Sequence, residues 1–129
     1  MDINRFESLM LLLLLIEDEL EIIDDLTNIL QIRGFDVVAS QFGEAGLTLA
    51  DQHQPDIVLC DIQLPDIDGF EILTRFRSKF PRTPFVFLTG LASDENVNRG
   101  YNLGANGYLK KPVAVHDLFS TLDEFFDNE

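Results

Sequence analysis

The sequence predicts a doubly wound α/β domain, a five-stranded parallel sheet in the order 2-1-3-4-5 with five helices. Two observations carry this. Five short runs are apolar throughout rather than alternating, as in strands covered on both faces. Each is followed by a segment of helical periodicity, so β-α repeats with right-handed crossovers bury the sheet between two helical layers. The 129 residues suit one domain of ordinary size, and a 46% hydrophobic composition supplies its core.

The first run is Leu9–Ile16. The second is Asp36–Ala39, built on Val37 and Val38. The third is Asp56–Cys60, introduced by Pro55, and the fourth is Phe85–Thr89, after Pro84. The last is Gly107–Leu109. Between them, Ile22, Ile23, Leu26, Ile29 and Leu30 repeat at helical spacing, with Gly34 as a stop. Gly46 to His53 is the weakest helical segment. Phe70, Ile72, Leu73 and Phe76 mark a third helix, ended by Lys79-Phe80-Pro81. The fourth spans about Ser93 to Leu103, with Ser93 at the N-cap and Asn96 three residues on as a partial capping signal. Leu118, Phe119, Leu122, Phe125 and Phe126 form the stripe of a fifth. Residues 1–8 read as an N-terminal extension and 9–127 as the domain, with no linker or repeat between them.

Nine Lys and Arg against 23 Asp and Glu give a formal charge of −14. That sign opposes direct binding of nucleic acid and of anionic membranes, which need positive charge on the protein. It suits metal ions and basic partner surfaces. The eight apolar residues from Leu9 to Ile16 are too few to span a membrane, which takes ~20 residues. Acidic flanks and the lack of a small-residue cleavage site argue against a signal peptide. Cys60, the one cysteine, excludes an internal disulfide and reads as a buried small hydrophobe in a reducing cytoplasm.

In a sheet of this order, ligands sit beyond the carboxyl ends of the strands, near the topological switch. Glu17 and Asp18 follow the first strand, and Asp61 follows the third. Thr89 ends the fourth, and the fifth leads into Lys110-Lys111-Pro112. Three carboxylates this close repel one another unless a cation joins them. Oxygen ligands of this kind suit Mg²⁺, with Mn²⁺ as a substitute. A carboxylate is a competent phosphoryl acceptor, and a lysine and a hydroxyl stabilise phosphoryl oxygens.

The residues that carry this chemistry resemble the receiver domain of two-component response regulators, from about Leu9 to Phe126. The motifs are Leu14-Leu15-Ile16-Glu17-Asp18-Glu19, Cys60-Asp61 through Pro65-Asp66-Ile67-Asp68-Gly69-Phe70-Glu71, Phe87-Leu88-Thr89-Gly90, and Gly104-Ala105-Asn106-Gly107-Tyr108-Leu109-Lys110-Lys111-Pro112. The resemblance implies a flavodoxin-like fold with Asp61 as phosphoacceptor. Asp18 would be a direct Mg²⁺ ligand and Glu17 a direct or water-mediated one, with the backbone carbonyl of Gln63 as a further ligand. Lys111, not Lys110, is the phosphoryl-binding lysine, and its bond to Pro112 is cis. Thr89 and Tyr108 form a switch pair. The partners implied are a histidine kinase or histidine phosphotransfer protein as donor, and a downstream output protein or domain. The output surface runs from Ser93 to Phe126, on a monomer or a phosphorylation-promoted dimer. The chain departs from the family's commonest pattern at Glu17, usually aspartate, at Gly90, usually alanine, and at Val113, frequently phenylalanine. Gln63 and Leu91 stand where the family tunes phosphoryl lifetime.

Other residues read as structural. Asp66 and Asp68 are turn formers beside Pro65 and Gly69. An EF-hand fails, since Gly69 at loop position six would put Leu64 at position one and Arg75 at position twelve. His53 and His116 are surface or cap residues, and Glu17 and Asp18 suit the start of the first helix. Two rival functions remain. A phosphatase of the haloacid dehalogenase type needs an acid where this chain has Gln63. A receiver-like module that docks without being phosphorylated would not need Asp61, Asp18 and Lys111 together. The expectation is a switch rather than an enzyme, free-standing or part of a longer protein.

Overall fold

Apolar strands that must be covered on both faces need a helix on every crossover, and the chain supplies one each time. The structure, a computed structural model, describes residues 10–90 and 92–126. Its elements are β1 (Leu12–Ile16), α1 (Leu20–Ile32), β2 (Asp36–Ser40), α2 (Gly43–His53), β3 (Ile57–Cys60), α3 (Gly69–Lys79), β4 (Phe85–Thr89), α4 (Asp94–Asn102), β5 (Gly107–Lys110) and α5 (Val115–Phe125). The strands lie in the order β2-β1-β3-β4-β5, all parallel. This is the predicted fold. Leu9, residues 1–8, residue 127 and Leu91 lie outside the described residues.

Alternation along each strand divides the core in two. Leu13, Leu15, Ile57, Leu59, Val86, Leu88 and Leu109 point to one face, where Leu26 and Leu30 of α1 and Leu118 and Leu122 of α5 meet them. Leu14, Ile16, Val58, Cys60, Phe85 and Phe87 point to the other, against Ala50 of α2 and Phe70, Ile72, Leu73 and Phe76 of α3. The first face is chiefly aliphatic. The second is aromatic, with Phe85 and Phe87 packed edge-on at 5.2 Å and Phe70 and Phe87 at 5.4 Å between ring centres. Among the described residues no helix is long and apolar enough to cross a membrane.

The helix starts explain where sequence and structure part. Ser93 caps α4 as expected, its hydroxyl accepting from the Asn96 amide. Asp68 is more than a turn former, since its carboxylate accepts from the Glu71 amide and caps α3. Asp66 reaches further. Its two carboxylate oxygens accept from the Gly43 and Glu44 amides at 2.8 and 2.9 Å, closing the first turn of α2 from a different loop. That cap explains why α2 begins at Gly43, ahead of the Gly46 that periodicity suggested. Glu17 and Asp18 do not cap α1 in the usual way. Glu19 is the N-cap residue, and its side chain makes no capping bond.

At the opposite end of the sheet, Arg77 holds three segments together. Its guanidinium donates to the carbonyls of Phe80 and Thr83, to the Gly104 carbonyl through two nitrogens, and to Asn106 Oδ1. Asn106 Oδ1 also accepts from the Phe85 amide at 2.9 Å, which fixes the entry to β4. Half-buried carbonyls lose a charged donor if Arg77 goes, at a cost of roughly 1.5–3 kcal/mol for such bonds. Arg77→Ala is therefore expected to lower the stability by about 2 kcal/mol, read as a lower urea midpoint with an unchanged slope. Arg77→Lys should recover only a minor part, because a point charge cannot span four acceptors.

Candidate functional site

Two ladder bonds continue past the strand ends and set the site. The Asp61 amide donates to the Ile16 carbonyl at 2.9 Å, and the Glu17 amide donates to the Ser40 carbonyl at 3.0 Å. Asp61 and Glu17 are thereby carried side by side off β3 and β1. On the other flank, the Lys111 amide donates to the Thr89 carbonyl at 3.0 Å. The Lys111–Pro112 bond is cis. Gly69 closes the floor. A Cβ there would lie 2.5 Å from the Asp61 carbonyl oxygen, so only glycine lets α3 begin this close to the end of β3. The sequence marked Gly69 as a turn residue and gave no sign of this approach.

Three of the strand-end side chains, Lys111, Asp61 and Glu17, meet. Lys111 Nζ donates to Asp61 Oδ2 at 2.6 Å and lies 2.5 Å from Glu17 Oε1. Glu17 is fully buried and Asp61 is 5% exposed. The Glu17 contact has the distance of an ion pair but not the angle of a hydrogen bond, so Oε1 is a buried oxygen without a hydrogen-bond donor. Its other oxygen accepts from the Glu19 amide at 2.9 Å. Burial pushes the Glu17 carboxyl above its ordinary range. Lys111 and the Glu19 amide oppose this, and the charge of Asp61 adds to it. Burial alone would lower the Lys111 ammonium, but its hydrogen bond to Asp61 and its pairing with the Glu17 charge outweigh that and raise it.

The donor set fits a hard cation. Glu17, Asp18 and Glu19 each offer a carboxylate oxygen within 4.8 Å of the others. Glu17 Oε1 faces the Lys111 ammonium at 2.5 Å, beside the Asp61 carboxylate. Glu19 was not foreseen as a member of this group, although its place after Glu17-Asp18 was visible. Asp61 joins the group through Lys111. Gln63, expected to offer its carbonyl, also points its amide at Asp61 Oδ1 at 3.3 Å.

Thr89 is buried at the end of β4. Tyr108 stands opposite Phe87 in the β4–β5 register rather than opposite Thr89. Its hydroxyl donates to the Asn96 carbonyl at 2.7 Å, and its ring lies 5.2 Å from that of Phe87. Burial, with Tyr101 adding and Arg99 opposing, pushes the phenol up to about 12. Cys60 is buried, and burial with the nearby Asp61 charge raises its thiol far out of the reactive range. Lys110, His53 and His116 are exposed and take no part.

Comparison with known proteins gives the family. The family model for the response regulator receiver domain matches residues 13–123. The chain belongs to that family. It is 35% identical over 109 residues to the cell cycle response regulator CtrA of Brucella ovis, covering 84% of this chain and 47% of that protein, and equally to CtrA of Brucella abortus. The chain thus spans about half the length of these curated relatives. Among solved structures, chemotaxis protein CheY4 of Vibrio cholerae superposes with a TM-score of 0.86 at 29% identity, covering 91% of this chain and 99% of that one. A CheY-like receiver domain protein from Methanospirillum hungatei gives 0.85 at 31% identity, with 89% and 92% covered.

The ion triad makes a pH-dependent prediction. The folded state holds the Glu17 proton more tightly than the unfolded chain, which favours folding at acid pH. That benefit fades as pH rises through the raised value. Lys111→Met leaves two buried carboxylates without a counter-charge, so it is expected to cost about 3 kcal/mol near neutral pH in metal-free buffer. The cost should be clearly smaller in acid, where the raised Glu17 carboxyl holds its proton. Urea midpoints of both proteins at the two pH values read the difference.

Proposed function

We propose that this receiver domain accepts a phosphoryl group on Asp61 from the phosphohistidine of a kinase or phosphotransfer protein, and acts as a switch rather than as an enzyme with turnover. The observation that carries the reading is the Lys111 ammonium set between the buried carboxylates of Asp61 and Glu17. A surface ion pair needs no such burial. A lysine held at 2.6 Å from one carboxylate oxygen leaves the other, Oδ1, as the nucleophile.

An Asp61 oxygen forms the new bond to phosphorus as the donor's nitrogen–phosphorus bond breaks. The imidazole keeps the electron pair and takes up a proton. Lys111 then has a phosphoryl oxygen to pair with in place of a bare carboxylate, and the Gln63 amide, already aimed at Asp61, offers a second donor. Thr89, buried beside Lys111 at the carboxyl end of β4, supplies a hydroxyl to a third oxygen. Mg²⁺, or Mn²⁺ in its place, would be held by Asp18, Glu17, Asp61 and the Gln63 carbonyl, and would neutralise charge between the carboxylate and the incoming group. Differential contacts of the phosphoryl group with Thr89 and Lys111 bias a two-state equilibrium that Tyr108 reads out. The output surface is α4, β5 and α5, the partner is a downstream protein or domain, and the setting is cytoplasmic.

Incubation with Mg²⁺ and acetyl phosphate, followed by intact-mass measurement, tests the assignment. One phosphoryl adduct is expected on the wild type, none on Asp61→Asn, and none after chelation of the metal. An adduct on Asp61→Asn would sink the assignment. If no donor labels the wild type, docking without phosphorylation becomes the better account.

A further inference from the structure

Helix α4 buries almost nothing of its own. Of Asp94 to Asn102, Gly100 alone is buried, whereas α3 buries Phe70, Ile72, Leu73 and Phe76. A helix normally docks through an apolar stripe. Here the sheet supplies the apolar group. The Tyr108 ring fills the space where a side chain at 100 would be. A Cβ on Gly100 would lie 2.4 Å from the Tyr108 hydroxyl oxygen and 2.9 Å from Cε2. The hydroxyl donates to the Asn96 carbonyl, one turn earlier on the same helix. Beside this contact, the Arg99 guanidinium lies over the Phe70 ring at 4.2 Å from its centre.

We infer that Gly100 is a positioning residue for Tyr108: its missing side chain is the seat of the ring, and that seat is the alternative to the ring's turn toward Thr89. The inference rests on the switch reading of Tyr108. It also separates position from stability. A methyl group at 100 would meet the far end of a side chain that can rotate, so the ring yields before the backbone does. Alanine is also the better helix former. Gly100→Ala should therefore unseat Tyr108 without loosening α4's own backbone.

The chain has two tyrosines and no tryptophan, so a Tyr101→Phe background leaves Tyr108 as the lone phenol. Aromatic NMR in that background is expected to join the Tyr108 ring to the Gly100 α protons. Adding Gly100→Ala should remove the ring's contacts with the first turn of α4 while the melting temperature stays equal or rises. In Gly100→Ala, phosphorylation by acetyl phosphate and Mg²⁺ should be about fivefold faster, the factor of one ordinary hydrogen bond withdrawn from the resting side. In a Tyr108→Ala background the same substitution should leave the rate unchanged. Wild-type spectra without the Gly100 contact, or unchanged contacts in Gly100→Ala, overturn the seat. A displaced ring with an unchanged rate, or an equal effect without Tyr108, overturns its link to the switch. A wild type that takes no phosphoryl group overturns the phosphoacceptor reading instead, and the spectra still decide the seat.

Discussion

The site depends on one cation placed between two buried anions. Glu17 and Asp61 come off neighbouring strands, and backbone ladder bonds leave them side by side whatever their charges prefer. Without Lys111, two like charges would share a poorly solvated pocket, and a proton would have to neutralise one of them. Lys111 arrives from the far edge of the sheet, past β4, directly after the end of β5. Three strands are therefore tied at their carboxyl ends by electrostatics as well as by backbone hydrogen bonds. A group that neutralises or replaces either carboxylate changes the partner Lys111 holds, and through it the end of β5.

The two faces of the sheet prepare this end differently. On the α1 and α5 side, leucines and isoleucines fill the layer, and both helices contribute to it. On the other side, phenylalanines do so, and α4 contributes only a glycine among its buried positions. The Tyr108 ring on β5 takes the space that a side chain at position 100 of α4 would have occupied. The result is a helix that rests on the sheet through Tyr108 and the Arg99–Phe70 contact, rather than through a stripe of its own. Few buried apolar contacts are the physical content of a region that moves readily.

Much of this was legible in the sequence because it follows from local pattern. Apolar runs, helical periodicity and the acids, threonine and lysine at strand ends gave the fold, the strand order and the gathering of Asp61, Glu17 and Lys111. Less legible were contacts between residues far apart in the chain that no pattern links. Asp66 caps a helix that starts 23 residues earlier. Gly69 was read for its turn, while its use is close approach to the Asp61 carbonyl. Glu19 joined the carboxylate group because the Glu17 side chain folds back to its amide. The hydroxyl of Tyr108 found a backbone carbonyl on α4, a choice no residue type announces.

The carboxylate of Asp66 has a consequence for how motion spreads. It sits in the loop between β3 and α3, five residues from Asp61, yet it satisfies the first two amides of α2. Any displacement of that loop must either carry the start of α2 with it or leave two helix-end donors to water. The second layer of the protein thus has a mechanical connection to the site that does not pass through Thr89, Tyr108 or α4. Motion passed along it would reach the face of the sheet opposite α5, the side on which Ala50 of α2 packs.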